Sequence, residues 1–81
     1  MIVKFKYIGI PIKELDNQIL KIEIHENLNV EKFIEKISNE YKIDINYLKN
    51  CNYMVNNKKV DLKKKLEDGD YILIMRALGG G

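Results

Sequence analysis

The chain has one cysteine, Cys51, so no disulfide can form within it. It has no apolar run approaching the 18 or so residues that span a bilayer. Its opening Met1-Ile2-Val3-Lys4 lacks the basic-then-apolar form of a secretion signal. Together these absences point to a cytoplasmic protein that meets no membrane. Charge of one sign is also lacking. Fourteen Lys and Arg face twelve Asp and Glu, a net of +2, which gives no electrostatic case for nucleic acid. Repeats, linkers and low-complexity tracts are absent until the terminal glycines. The single histidine, His25, has no ladder of Cys, Asp or Glu at metal-ligand spacing, so it reads as a surface residue and no metal site is expected. Cys51 reads as a small buried or half-buried hydrophobe, with no neighbouring cation that clearly lowers its pKa.

What remains is one small domain. Eighty-one residues with 46% hydrophobic content suit a single folded core. Val3-Lys4-Phe5-Lys6-Tyr7 alternates with the period of two of a half-buried strand, placing Val3, Phe5 and Tyr7 inward. Gly9 and Pro11 end it, and residues 13–18 read as a polar connection. Leu20-Lys21-Ile22-Glu23-Ile24 alternates again, and so close a second strand pairs antiparallel with the first.

Val30, Phe33, Ile34, Ile37 and Tyr41 fall on one helical stripe, with Asn29 as the N-cap and Glu31 in the first turn. A helix over 30–42 is predicted to lie across the sheet. Residues 43–50 read as a connection, with Ile45 and Leu48 as satellites of the core. Tyr53-Met54-Val55 is a short strand. Asn56-Asn57 tolerate positive φ and predict a tight hairpin into Lys59-Val60. Residues 61–65, with Leu62 and Leu66 at i,i+4, suggest a surface helical turn. Asp68-Gly69-Asp70 is a turn before the last strand, Tyr71-Ile72-Leu73-Ile74-Met75. Lys58, Lys59, Lys63, Lys64 and Lys65 form a basic stretch, by default a solvated face and otherwise a patch for an acidic partner.

The order β-β-α-β-β-β, with one amphipathic helix over a mixed four- to five-stranded sheet and parallel central first and last strands, is an α+β β-grasp arrangement. Residues 1–76 would form the domain and 77–81 a C-terminal tail. Glycine has no Cβ, so Gly79-Gly80-Gly81 can enter a slot too narrow for side chains. Residues 77–81 could reach roughly 17 Å at about 3.3–3.6 Å per residue, with an ionised α-carboxylate at the end. On the last strand, Tyr71, Leu73 and Met75 alternate with Ile72 and Ile74. If the isoleucines face the helix, the other three form an apolar partner surface, extended by Arg76 and Leu78.

The V-N-x-x-x-V hairpin at residues 55–60, the L-x-D-G-D turn at 66–70 and the terminal Gly80-Gly81 together resemble the MoaD/ThiS family of ubiquitin-like sulfur carriers. The resemblance implies a carrier rather than an enzyme. Gly81 would be the reacting residue, adenylated by an ATP-using E1-like adenylyltransferase and converted to a thiocarboxylate. Gly79 and Gly80 would thread that enzyme's channel. No cofactor would be bound, the ATP being used by the activating enzyme. A cysteine desulfurase or rhodanese would supply sulfur, and a thiazole synthase or the large subunit of molybdopterin synthase would receive it. Arg76-Ala77-Leu78 stand where the molybdopterin type usually has prolines. That departure and the triple glycine lean toward the thiamin branch, whereas the length and the 9–18 connection resemble the molybdopterin type. The rival from another class is a ubiquitin-like modifier joined through Gly81 to lysines of other proteins.

Overall fold

A computed structural model describes residues 1–9, 12, 15 and 18–76. Among the described residues seven elements follow one another: β1 (Ile2–Ile8), β2 (Leu20–Glu23), α1 (Val30–Tyr41), α2 (Asn46–Lys49), β3 (Asn52–Val55), β4 (Lys58–Val60) and β5 (Tyr71–Met75). The strands form one sheet in the order β2-β1-β5-β3-β4. β1 and β5 pair in parallel at its centre, and every other pairing is antiparallel. This is the expected β-grasp order.

The period-two strands explain why one face is buried. Val3, Phe5 and Tyr7 of β1 lie in register with or beside Ile72 and Ile74 of β5 and Ile22 of β2, and all are buried. Tyr53 and Val55 of β3 continue that layer. Over it lies α1, whose Val30, Phe33, Ile34 and Ile37 meet the sheet. The Phe5 and Phe33 rings meet edge to face at 5.5 Å, a favoured aromatic geometry. Asn29 caps the helix as its sequence suggests: its Oδ1 accepts from the Lys32 amide at 2.9 Å. The helix ends at Lys42, which takes the left-handed conformation at φ 55°, while the Ile43 amide closes back on the Ser38 carbonyl.

Asn56 and Asn57 both have positive φ, 51° and 69°, so β3 and β4 join through the two-residue turn the asparagines predict. The Asn56 side chain does more. Its Nδ2 donates to Asp70 Oδ1 at 2.9 Å, its Oδ1 accepts from the Tyr71 amide at 3.0 Å, and the other Asp70 oxygen accepts from the Glu67 amide at 2.7 Å. Asp68 Oδ1 meanwhile accepts from the Ile2 amide at 2.7 Å. The asparagine of the hairpin and the two aspartates of the turn thus tie β3, β5 and the start of β1 together. Gly69, at φ 85°, supplies the positive φ this turn needs between them.

Four expectations are corrected. Residues 13–18 are not simply a polar connection: Leu15 is 1% exposed and its amide donates to the Ile12 carbonyl, so an isolated leucine plugs the core there. Residues 43–50 contain the single-turn helix α2, and Leu48 is a core residue at 0% exposure rather than a satellite. Residues 61–65 make a single turn and no helix, the Lys64 amide donating to the Asp61 carbonyl at 3.3 Å. Asp61 Oδ1 takes the Lys63 amide, and the Leu62 and Lys64 carbonyls turn outward to accept the Glu31 and Val30 amides of α1. Hydrogen bonds across the fold outweigh the helical leucine spacing in that segment. The second strand ends at Glu23, although Ile24 stays buried and exchanges two bonds with Met1.

Candidate functional site

The sheet face away from α1 is uncovered by any described residue. Register places Tyr71, Leu73 and Met75 of β5 on that face, beside Lys4, Lys6 and Ile8 of β1 and beside Asn52 and Met54 of β3. Lys21 and Glu23 of β2 and Lys59 of β4 share it. Ile72 and Ile74 are fully buried against the helix side, whereas Tyr71, Leu73 and Met75 remain half-buried. The expected division of β5 into two faces is therefore observed. Its consequence is a central apolar stripe with four lysines and one glutamate around it. The sequence reading found the three β5 residues; it missed Ile8, Met54 and the lysines of β1, because only strand order brings them alongside.

The stripe leads to Arg76, the last described residue. Its amide donates to the Ile8 carbonyl at 2.8 Å, extending the β1–β5 pairing by one step. Its guanidinium carbon lies 4.8 Å from the centroid of the Tyr47 ring, within cation–π range. Arg76 Nη1 is buried without a hydrogen-bond partner among the described residues. The Cys51 thiol donates to the Tyr47 carbonyl at 3.2 Å. Burial pushes that thiol's pKa up, with Arg76 pulling weakly the other way, so Cys51 stays protonated at neutral pH. Cys51 is half-buried, as its composition suggests, and is no activated nucleophile. Leu78, Gly79, Gly80 and Gly81 lie outside the described residues.

Among the described residues, no three of His, Cys, Asp and Glu gather to hold a metal. His25 is exposed and stands 3.8 Å from Glu23. The basic stretch divides. Lys58 and Lys59 lie on the edge strand β4, while Lys63 and Lys65 border a cleft with Lys32 beside the start of α1. That cleft is no ready anion cradle, because the Val30, Glu31 and Lys32 amides already donate to Lys64, Leu62 and Asn29. No described helix is long and apolar enough to cross a membrane.

Fold and geometry thus define a β-grasp domain whose last central strand, β5, ends one residue before Arg76, the last described residue. Residues 8–81 match the model of the ThiS family, and the chain belongs to that family. Solved structures agree on the fold. A putative molybdopterin converting factor subunit 1 from Pyrococcus furiosus is 22% identical, with a TM-score of 0.73, covering 95% of this chain and 98% of that one. SAMP1 from Haloferax volcanii covers both chains fully at a TM-score of 0.76 with 10% identity. In a complex of subunits 1 and 2 of molybdopterin-converting factor from Helicobacter pylori 26695, a chain 28% identical superposes over the full length of both at 0.65. No curated protein matches the chain in sequence.

Proposed function

We propose that this chain is a sulfur carrier in cofactor biosynthesis and is not itself an enzyme. The observation that carries the reading is the family match, which continues through the glycine arm to Gly81. A carboxylate resists attack by sulfur because its oxygen leaves poorly. An E1-like adenylyltransferase solves this by joining the Gly81 carboxylate to the α-phosphate of ATP, with pyrophosphate leaving. The terminal sulfur of a persulfide, carried by a cysteine desulfurase or rhodanese, then attacks the carbonyl. The C–O bond to AMP breaks as the C–S bond forms, giving an acyl disulfide, and a thiol reductant cleaves its S–S bond, leaving a thiocarboxylate while the thiol is oxidised to a disulfide. The chain supplies only the arm and a docking face, and ATP belongs to the activating enzyme.

The docking face is the stripe of Tyr71, Leu73 and Met75, with Ile8 and Met54 beside it. Apolar side chains at the centre of a contact supply most of its energy once water is excluded. Lys4, Lys6, Lys21 and Lys59 around the stripe favour a partner surface with an acidic rim, which speeds encounter at low salt. The sulfur acceptor is a thiazole synthase or a molybdopterin synthase large subunit. The Helicobacter pylori complex pairs subunit 1 with a subunit 2, and the fold and identity shared with it support a large-subunit partner of that kind.

Deleting Gly80 and Gly81 tests the proposal. ATP–pyrophosphate exchange with the adenylyltransferase is expected to vanish while the thermal melt is unchanged, because the described core ends at Ile74. Undiminished exchange by the truncated chain would contradict it. Thiocarboxylate offered separately to the two synthases assigns the branch.

A further inference from the structure

Arg76, the last described residue, is held from three sides. The Ile8 carbonyl holds its amide at 2.8 Å. Gly9 holds its carbonyl side by close approach: a Cβ on Gly9 would stand 2.4 Å from the Arg76 carbonyl oxygen and 2.9 Å from Arg76 Cβ. Gly9 also has φ +145°, a conformation side-chain-bearing residues rarely adopt, so glycine is required there on two counts. Tyr47 takes the guanidinium on its ring at 4.8 Å.

Tyr47 has little other use. It sits on the one-turn helix α2 and is 48% exposed, outside the core. Arginine normally keeps its head group in water, yet one nitrogen here is withdrawn from solvent without an acceptor among the described residues. Such an arrangement costs free energy and persists because neighbours enforce it.

We infer that Gly9 and Tyr47 form a collar that fixes Arg76, making both positioning residues for delivery of the terminal carboxylate. Its function rests on the sulfur-carrier reading; its geometry does not. A carrier docked by its sheet face must bring one carboxylate to one phosphate. Each residue released from the domain enlarges the volume that carboxylate searches and lowers its effective concentration at the active site. By holding Arg76 the collar keeps the number of released residues small. On the sulfur-carrier reading docking uses the β5 stripe, of which Tyr47 on α2 is no member.

The test uses the full chain with Tyr47→Ala, Tyr47→Phe and Gly9→Ala. Two readouts separate the collar from the carrier role. In nuclear magnetic resonance, the backbone heteronuclear NOE of Arg76 should fall toward that of a free chain end in Tyr47→Ala, with Ile72 and Ile74 unchanged. Tyr47→Phe retains the ring and should retain the NOE. In ATP–pyrophosphate exchange with the E1-like adenylyltransferase, kcat should fall about two- to tenfold in Tyr47→Ala while KM for the carrier stays within about twofold. Tyr47→Phe should match the parent, and Gly9→Ala should resemble Tyr47→Ala. An Arg76 NOE in Tyr47→Ala equal to the parent's overturns the collar. So does an unchanged kcat where the parent is active, or a loss confined to KM. A parent chain that supports no exchange contradicts the carrier reading instead, and the NOE still decides whether the collar exists.

Discussion

Replacing Asn56 by glycine should cost far more than the same change at its neighbour Asn57. Both residues occupy positive φ, 51° and 69°, so glycine relieves backbone cost equally at the two sites. They differ in what their side chains hold. Asn56 donates to the buried Asp70 carboxylate at 2.9 Å and accepts the Tyr71 amide at 3.0 Å. A hydrogen bond to a charged group is worth about 1.5–3 kcal/mol and a neutral one about 0.5–1.5 kcal/mol. Part of that is returned by solvent, because the Tyr71 amide lies at an exposed site. The net loss is about 2–4 kcal/mol, against a total stability of roughly 4–12 kcal/mol for a chain of this size. With a urea slope near 1 kcal/mol/M, the midpoint should fall by about 2–4 M in Asn56→Gly. Asn57→Gly should stay within about 0.5 M of the parent. A double-mutant cycle with Asp70→Ala should show a coupling of at least about 1 kcal/mol. Equal midpoints for the two glycine variants would refute the reasoning, because turn geometry alone would then explain both asparagines.

Leu73→Glu should weaken binding to the E1-like adenylyltransferase at least about tenfold while changing folding stability by less than about 1.5 kcal/mol, since it desolvates a charge only in the complex. Calorimetric titration beside denaturant melts checks this, and equal affinity would remove β5 from the docking face. Stability should also fall between pH 10 and pH 12. Burial pushes the Tyr53 phenol, which donates to the Leu48 carbonyl, up to about 12. The unfolded chain therefore loses that proton near pH 10 while the folded chain keeps it, so the contribution is complete below pH 10 and lost through the window. It amounts to on the order of 2 kcal/mol. Tyr7 is shifted upward for the same reason. Tyr53→Phe should flatten the alkaline fall in the urea midpoint, and an unaltered slope would contradict the assignment.

Which parts were legible in sequence follows from how local their causes are. β1 and β5 announce themselves by alternation, α1 by its stripe and its Asn29 cap, and the hairpin by two asparagines that accept positive φ. Each of these depends on neighbours within a few residues. Leu15 was missed because one leucine among polar residues carries no period. Leu48 was undervalued because a four-residue helix is too short to show one. Residues 61–65 misled because two leucines at i,i+4 suggest a helix, whereas the carbonyls of that segment are drawn to the amides of α1. The motif that carried the family resemblance was visible before its physical purpose was. Asn56, Asp68 and Asp70 prove to be structural ties rather than chemistry. The outer-face residues of β5 were legible from alternation alone, but the lysines of β1 beside them needed the parallel pairing. The grip of Tyr47 on Arg76 had no sequence signal, since nothing local relates an exposed tyrosine on a one-turn helix to an arginine after the last strand.

The central claim is that Gly81 carries sulfur, and intact-protein mass spectrometry tests it most directly. The chain is incubated with the E1-like adenylyltransferase, ATP, a cysteine desulfurase with cysteine, and a thiol reductant. The account predicts replacement of one oxygen by one sulfur, located at Gly81 by fragmentation and absent when ATP is withheld. An unchanged mass in the presence of every component, or Gly81 recovered in isopeptide linkage to lysines of other proteins in place of a thiocarboxylate, would contradict it.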